Sequence, residues 1–202
     1  MKKIEKSILV GLIFSIFISS LLPFCDKCGR LKKNIIRLHV IANSNSEQDQ
    51  ALKLKIKDNI SCAIYKLLKN AKTKVVAKQI VYKNLNYISQ LSKQEILNNG
   101  YNYDVNVTLT KSYFPTRKYD SFILPAGVYD SLKVIVGKGE GKNWWCVAFP
   151  PMCSPMYSNK QHVQAILGKN ELEVIEGPYE YKFAIIEFLS NIKGNIEKCI
   201  KK

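Results

Sequence analysis

Histidine is scarce in this chain: only His39 and His162 occur among 202 residues. That leaves little material for a histidine metal site or a general-base relay away from those two positions. Tryptophan is equally scarce, and Trp144 and Trp145 stand side by side. Acidic residues number 16 against 31 Lys and Arg, a net charge of +15. No internal repeat or low-complexity tract is present, which excludes repeat architectures and biased linkers. Cys25 and Cys28 form a Cys-x-x-Cys with no second copy, so a four-thiolate zinc site has no basis. No arginine cluster or aromatic–basic repeat of a nucleic-acid module appears, and no nucleic-acid partner is expected.

What is present is enough for a folded domain. Apolar residues make up 47% and aromatics 10%, so the chain is not disordered, and its length fits one domain plus tails. The positive charge is uneven: residues 25–100 hold 15 Lys/Arg against 5 Asp/Glu, and residues 101–202 hold 13 against 10. A basic first half suits an anionic membrane surface or an acidic partner, and lysine solubilising exposed helix faces is the plainer reading.

The N-terminus bears on compartment. Lys2, Lys3 and Lys6 precede an apolar run from Ile8 to Phe24. A basic stretch before such a run reads as an export signal. Its 17 residues would span about 25 Å as a helix, slightly short of a ~30 Å hydrocarbon core. Residues 1–24 are therefore expected to be a signal peptide or a signal anchor. The lysines stay inside, and residues beyond about 25 lie outside the membrane. An exported chain with six cysteines invites disulfides. Cys146 and Cys153 bracket a rigid Phe-Pro-Pro stretch, and a bridge there would contribute about 2.5 kcal/mol in the chain-entropy model.

Residues 25–33 read as a short basic linker. Asn34 to Ile41 alternates, with Ile36, Leu38 and Val40 on one face and Arg37, His39 and Ile41 on the other, so it reads as a strand. Ser44 and Glu47 have capping-box spacing. The helix that follows shows a stripe through Leu52, Ile56, Ile60, Ala63 and Leu67, with Asp49 and Lys53 as i,i+4 partners. A second helix is expected from about Lys74 to Leu97, ending at Asn98-Asn99-Gly100. Residues 101–109 alternate strictly as a strand, with further strands near 122–124, 131–136 and 144–149. The glycine-rich turn at 137–142 is expected to join the last two as a hairpin. Residues 154–177 read as loop, followed by a C-terminal helix from Pro178 through Ile185, Leu189, Ile192 and Ile196. The expected fold is α+β: an N-terminal strand, two helices, an antiparallel sheet of three or four strands against the helices, and a C-terminal helix.

No catalytic set stands out. Gly137 to Asn143 has the wrong spacing for a phosphate loop, carries Asn where Ser/Thr is needed, and precedes a strand instead of a helix. Cys146 or Cys153 with His39 or His162 would suit a cysteine hydrolase or amidase, yet no cysteine-enzyme signature surrounds either Cys. Asp104, Asp120 and Asp130 lie in separate segments with nothing to show that they converge. Metal and cofactor are expected to be absent. In Trp144-Trp145, adjacent strand positions point to opposite faces, so one ring can fill the core while the other faces a partner.

Residues 36–50 and 124–153 carry two long motifs, and these resemble the stage II sporulation protein R family. Ile36-Arg37-Leu38-His39-Val40-Ile41-Ala42-Asn43-Ser44, then Ser46-Glu47 and Asp49-Gln50, is similar to its opening motif. Leu124 to Tyr129, then Gly139 and Gly141 and Asn143-Trp144-Trp145-Cys146 to Pro150-Pro151 and Cys153, is similar to its second. The resemblance covers residues 34–153, with a looser echo at 181–188, and 154–202 form a tail. It implies a non-catalytic signalling protein of endospore formers. Such a protein is exported from the forespore into the space between forespore and mother cell. There it activates a septal membrane-embedded aspartic receptor-protease that processes pro-sigma-E. The family does not say which residues touch the partner. On chemistry alone, Arg37, His39, Asn43, Asp49, Asn143, Trp144 and Trp145 are the candidates.

Overall fold

The computed structural model describes residues 3–152, 160–177, 179, 181–185 and 187–188. The chain divides into two compact units: residues 33–114 with 128–168, and residues 1–32 with 115–127 and 169–202.

In the larger unit, β1 (Ile36–Ile41) leads into α2 (Glu47–Leu68), α3 (Lys74–Lys83) and α4 (Leu85–Asn98). β2 (Val105–Phe114), β5 (Gly127–Val136), β6 (Asn143–Phe149) and α5 (Lys160–Leu167) follow. The four strands form one sheet in the order β2-β5-β1-β6. Ile36, Leu38 and Val40 of β1, Leu132, Val134 and Val136 of β5, and the α2 stripe Leu52, Ile56, Ile60 and Ile64 form a single apolar cluster. Val105, Val107 and Leu109 pack on it from β2. The strictly alternating 101–109 segment thus turns its odd positions inward, as its period-2 pattern requires.

The α+β expectation is borne out, with two corrections inside the sheet. First, β1 runs parallel to β5, Ile36 opposite Asp130 through Ile41 opposite Ile135, and antiparallel to β6, so the sheet is mixed. Second, β5 and β6 are not a hairpin, because β1 lies between them. The long connection through α2, α3 and α4 frees β1 to enter the sheet centre. The glycine turn at 137–142 therefore has to cross over the end of β1.

Three details of the helices also differ. The α2 N-cap is Ser46, whose Oγ accepts from Asp49 N at 3.2 Å, while the Ser44 hydroxyl donates to the Asp49 carboxylate at 2.6 Å. Lys53 does not pair with Asp49. It bonds Gln50 Oε1 at 2.6 Å and the Lys142 carbonyl at 3.1 Å. The expected helix over 74–97 is two helices, broken at Asn84 (φ −109°, ψ 13°). There the Asn84 side chain donates to the Ile80 carbonyl at 2.8 Å, a local bond with which Asn competes against helix continuation.

The smaller unit begins with α1 (Lys3–Asn34), 32 residues long, apolar and long enough to cross a membrane. Ile8, Leu9, Leu12, Ile13, Ile16 and others along its first half are exposed. The segment expected to be a linker continues this helix. Phe24, Cys28 and Leu31 recur at helical spacing and are buried, and Phe24 packs against Phe183 and Tyr179. Two-residue strands β3 (Arg117–Lys118) and β4 (Ile123–Leu124) pair antiparallel. α6 (Lys169–Glu176) places Glu171 2.9 Å from Arg30. Much of the segment read as loop, 154–177, is therefore helical. Residues 181–185 and 187–188 are helical too, while Leu189, Ile192 and Ile196 of the expected C-terminal helix lie outside the described residues.

Candidate functional site

Six of the seven candidate residues gather in two places within the larger unit, and Trp144 stands apart from both. The first is the sheet face opposite the α2 packing. There β1 directs Arg37 and His39, flanked by Ser131 and Lys133 of β5 and by Val147 and Trp145 of β6. Arg37 is fully buried. Its Nε donates to the Cys146 carbonyl at 2.9 Å, and its guanidinium carbon sits 4.4 Å from the Phe114 ring centre and 5.2 Å from that of Tyr129. Such stacking is what a weakly hydrated, planar cation does well in a desolvated site.

His39 lies one step along the same face. Its ring stacks on Trp145 with centroids 3.9 Å apart and meets Phe114 edge-on, and Phe114 in turn meets Trp145 at 4.8 Å. His39 Nε2 is 2.7 Å from Asn143 Oδ1. An amide oxygen only accepts, so the imidazole donates and its proton resides on Nε2. Burial pushes the His39 pKa below its ordinary value; the Asn143 bond opposes this, and the charges of Lys133 and Arg37 add to it. His39 is therefore a neutral ring at neutral pH.

The second place is a pair of interlocked turns. Asn43 donates from Nδ2 to the Asp49 carboxylate at 2.8 Å and accepts the Lys138 amide at 3.0 Å. Asn45 accepts the Lys142 amide at 2.9 Å. The amides of Glu140 and Gly141 donate to the carbonyls of Asn43 and Ala42. A Cβ on Gly141 would overlap the Ser44 carbonyl oxygen, and one on Gly137 (φ +55°) would overlap the Asn43 side chain. The glycines are thus required by close backbone approach, and the turn grips the end of β1. Asp49, buried at its base, accepts from Ser44, Asn43, Tyr103 and Ser46, and these bonds outweigh burial and hold its carboxyl below the usual range.

The tryptophan pair resolves as strand alternation dictates. Trp145 belongs to the Arg37–His39 face. Trp144 points to the other side at the open edge of the sheet, with 36% of its surface exposed and Lys57 of α2 4.9 Å over its ring.

Among the described residues, no catalytic geometry assembles around these side chains. Cys146 sits in the apolar cluster on the helix side, the face opposite His39, so this Cys and this His do not meet. Cys153, and with it the Cys146–Cys153 bridge, lies outside the described residues, and nothing of the His162 side chain is described. The carboxylates are engaged separately. Asp130 pairs with Lys74 at 2.6 Å and Lys78 at 2.9 Å, and Asp104 lies 3.6 Å from Lys93. No group of three or more metal-ligating side chains occurs among the described residues. A groove of about 280 Å³ between α2 and α4, lined by Asn59, Tyr87, Leu91 and Glu95 among others, contains none of the candidates.

Sequence reading missed Phe114 and Tyr129, the rings that hold Arg37, because a Phe before Pro115 reads only as a strand end. It also missed Gly137 and Gly141 as the partners of Asn43 and Ser44. The spacing of two turns some 95 residues apart carries no pairing signal.

No solved structure matches the chain. Over 180 residues it is 32% identical to stage II sporulation protein R of Bacillus subtilis (strain 168), covering 78% of this chain and 80% of that protein. Residues 32–159, which contain both gathered sites, match the family description of stage II sporulation protein R. The chain belongs to the stage II sporulation protein R family, and its role is in sporulation.

Proposed function

We propose that this protein is an exported sporulation signal. Carried from the forespore into the intermembrane space, it activates a membrane-embedded aspartic receptor-protease of the septum, which processes pro-sigma-E in the mother cell. The observation that carries this reading is the family match across residues 32–159, which includes both interlocked turns. The N-terminal helix, long and apolar enough to serve as export signal or anchor, supports it.

An activator of this kind works by binding the active state of its receptor more tightly than the inactive one. The accessible candidates for that contact are Trp144 and Asn143 at the open edge of β6. Arg37, His39 and Asp49 are buried and Asn43 is half-buried, and all four are engaged in bonds within the domain. Co-expression of the chain, the receptor-protease and pro-sigma-E in a non-sporulating host tests this reading. Processing is expected to depend on the chain. Trp144→Ala is expected to weaken the activating contact by roughly 30-fold, as loss of an interface anchor does. Processing that proceeds equally with the chain omitted would overturn the proposal.

A further inference from the structure

The helical side of the larger unit carries a charge pattern of which the sheet uses only part. Residues 59–94 contain no Asp or Glu at all, and they hold Lys66, Lys69, Lys72, Lys74, Lys78, Lys83 and Lys93. Lys74 and Lys78 are drawn to Asp130, and Lys93 to Asp104 and the Tyr103 carbonyl. Lys66, Lys69, Lys72 and Lys83 are exposed and form no ion pair among the described residues.

Among them lies α3. It buries Ala77 and Val81. Its outer side exposes Val75 at 68%, Val76 at 43% and Tyr82 at 70%. At 100° per residue, Val75, Gln79 and Tyr82 fall within a wedge of roughly 60°, with Lys78 on one flank and Lys83 and Val76 on the other. The helix is thus amphipathic twice over. One apolar strip faces the core, and Val75 and Tyr82 face outward between lysines, Asp130-paired Lys78 on one side and unpaired Lys83 on the other.

We propose that this outer face of α3 is a bilayer-contact surface. Val75, Val76 and Tyr82 enter the headgroup–acyl boundary, and Lys72, Lys83 and the adjoining lysines meet anionic lipid headgroups. Tyrosine suits that depth because its ring is apolar and its hydroxyl stays wet. Residues 59–94 contain no arginine. Lysine point charges match the diffuse field of an anionic surface, whereas an acidic protein segment is better read by the guanidinium fork. A single residue separates β1 from the end of α1, the helix long enough to cross a membrane. A domain so tethered meets lipid at high effective concentration, so a modest amphipathic face is enough to dock it. The proposal rests on α1 and not on the identity of any signalling partner.

The test uses the full chain reconstituted through α1 into vesicles of phosphatidylcholine alone, or with about one-third phosphatidylglycerol, read by amide hydrogen exchange over residues 72–84. Exchange is expected to slow about tenfold on the anionic vesicles and to recover in about 0.5 M salt. Replacing Lys72 and Lys83 together by Gln is expected to weaken docking roughly 25-fold, at about fivefold per basic side chain. Tyr82→Asp, at an exposed position, is expected to abolish the protection with an unchanged thermal melt. Equal exchange on both vesicle types overturns the proposal. So does protection that grows with protein density on neutral vesicles, which reports a second copy, or that appears only on adding an acidic polypeptide. Sigma-factor processing is not a readout here, so failure of this contact and failure of the signalling reading remain distinguishable.

Discussion

Six consecutive residues of β1 are all buried, yet its two faces are built from opposite chemistry. Toward α2, Ile36, Leu38 and Val40 enter a hydrocarbon cluster in which shape and volume decide stability. On the reverse, Arg37 and His39 occupy a box of Phe114, Tyr129 and Trp145, held by bonds to the Cys146 carbonyl and Asn143. A strand buried on both faces ordinarily reads as a continuous apolar run. Here apolar–polar alternation marks a change of chemistry and not a change from buried to exposed. The first face explains why the chain folds. The second fixes the edge on which Asn143 and Trp144 are displayed.

The sharpest way to separate the faces is to cut each in turn. Leu38→Ala removes a fully buried side chain from the helix side and is expected to cost about 3 kcal/mol, read by urea unfolding. A loss below about 1 kcal/mol would mean that the apolar face is not the main support of the fold. On the reverse, Arg37→Ala leaves a void among the rings and is also expected to cost about 3 kcal/mol, whereas Arg37→Met, which refills the volume without a buried charge, is expected to cost about 1. If the methionine variant is as unstable as the alanine one, the guanidinium's bonds hold the box, and the two faces differ less than their composition implies.

Much of the first face was legible in the sequence, and little of the second. Period-2 and period-3.6 patterns fix β1, β2 and α2, because repeated burial of one face leaves a local signature. The break at Asn84 was not visible, since Asn at one position only weakly disfavours helix and the flanking apolar residues stay in phase. The insertion of β1 between β5 and β6 was hidden for a different reason. Strand order is a long-range property, and a glycine turn between two strands looks the same whether it closes a hairpin or crosses over a third strand. Of the candidate residues, alternation alone put Trp144 and Trp145 on opposite faces, and the structure assigns which is which. That Asn43 meets Gly137 while Arg37 meets Phe114 depends on tertiary pairing, which no local pattern records.

The gentlest probe of the comparison is pH, because it changes one charge on the reverse face and none on the helix side. The His39 pKa is held below its ordinary 6.5 by burial, by Lys133 and by Arg37, against the opposing bond to Asn143. In the unfolded chain the ring binds a proton as pH falls through about 6.5, whereas in the folded chain it does so only at lower pH. Its contribution is therefore fully present above 6.5 and is lost as pH falls from there toward the folded value. Asp49, depressed from 3.8, loses its contribution only in more acidic solution, so the two are separable. Urea unfolding between pH 7.5 and 5 is expected to show stability falling with acidification in the wild type, and a flatter dependence in His39→Gln, which has nothing to titrate there. The Trp145 ring, stacked 3.9 Å from the imidazole, reports the same event, since protonation places a cation on its face and should dim its emission in step with the stability loss. Equal slopes for wild type and His39→Gln would show that the imidazole titrates as though exposed, and that the reverse face of β1 is more open than its burial indicates.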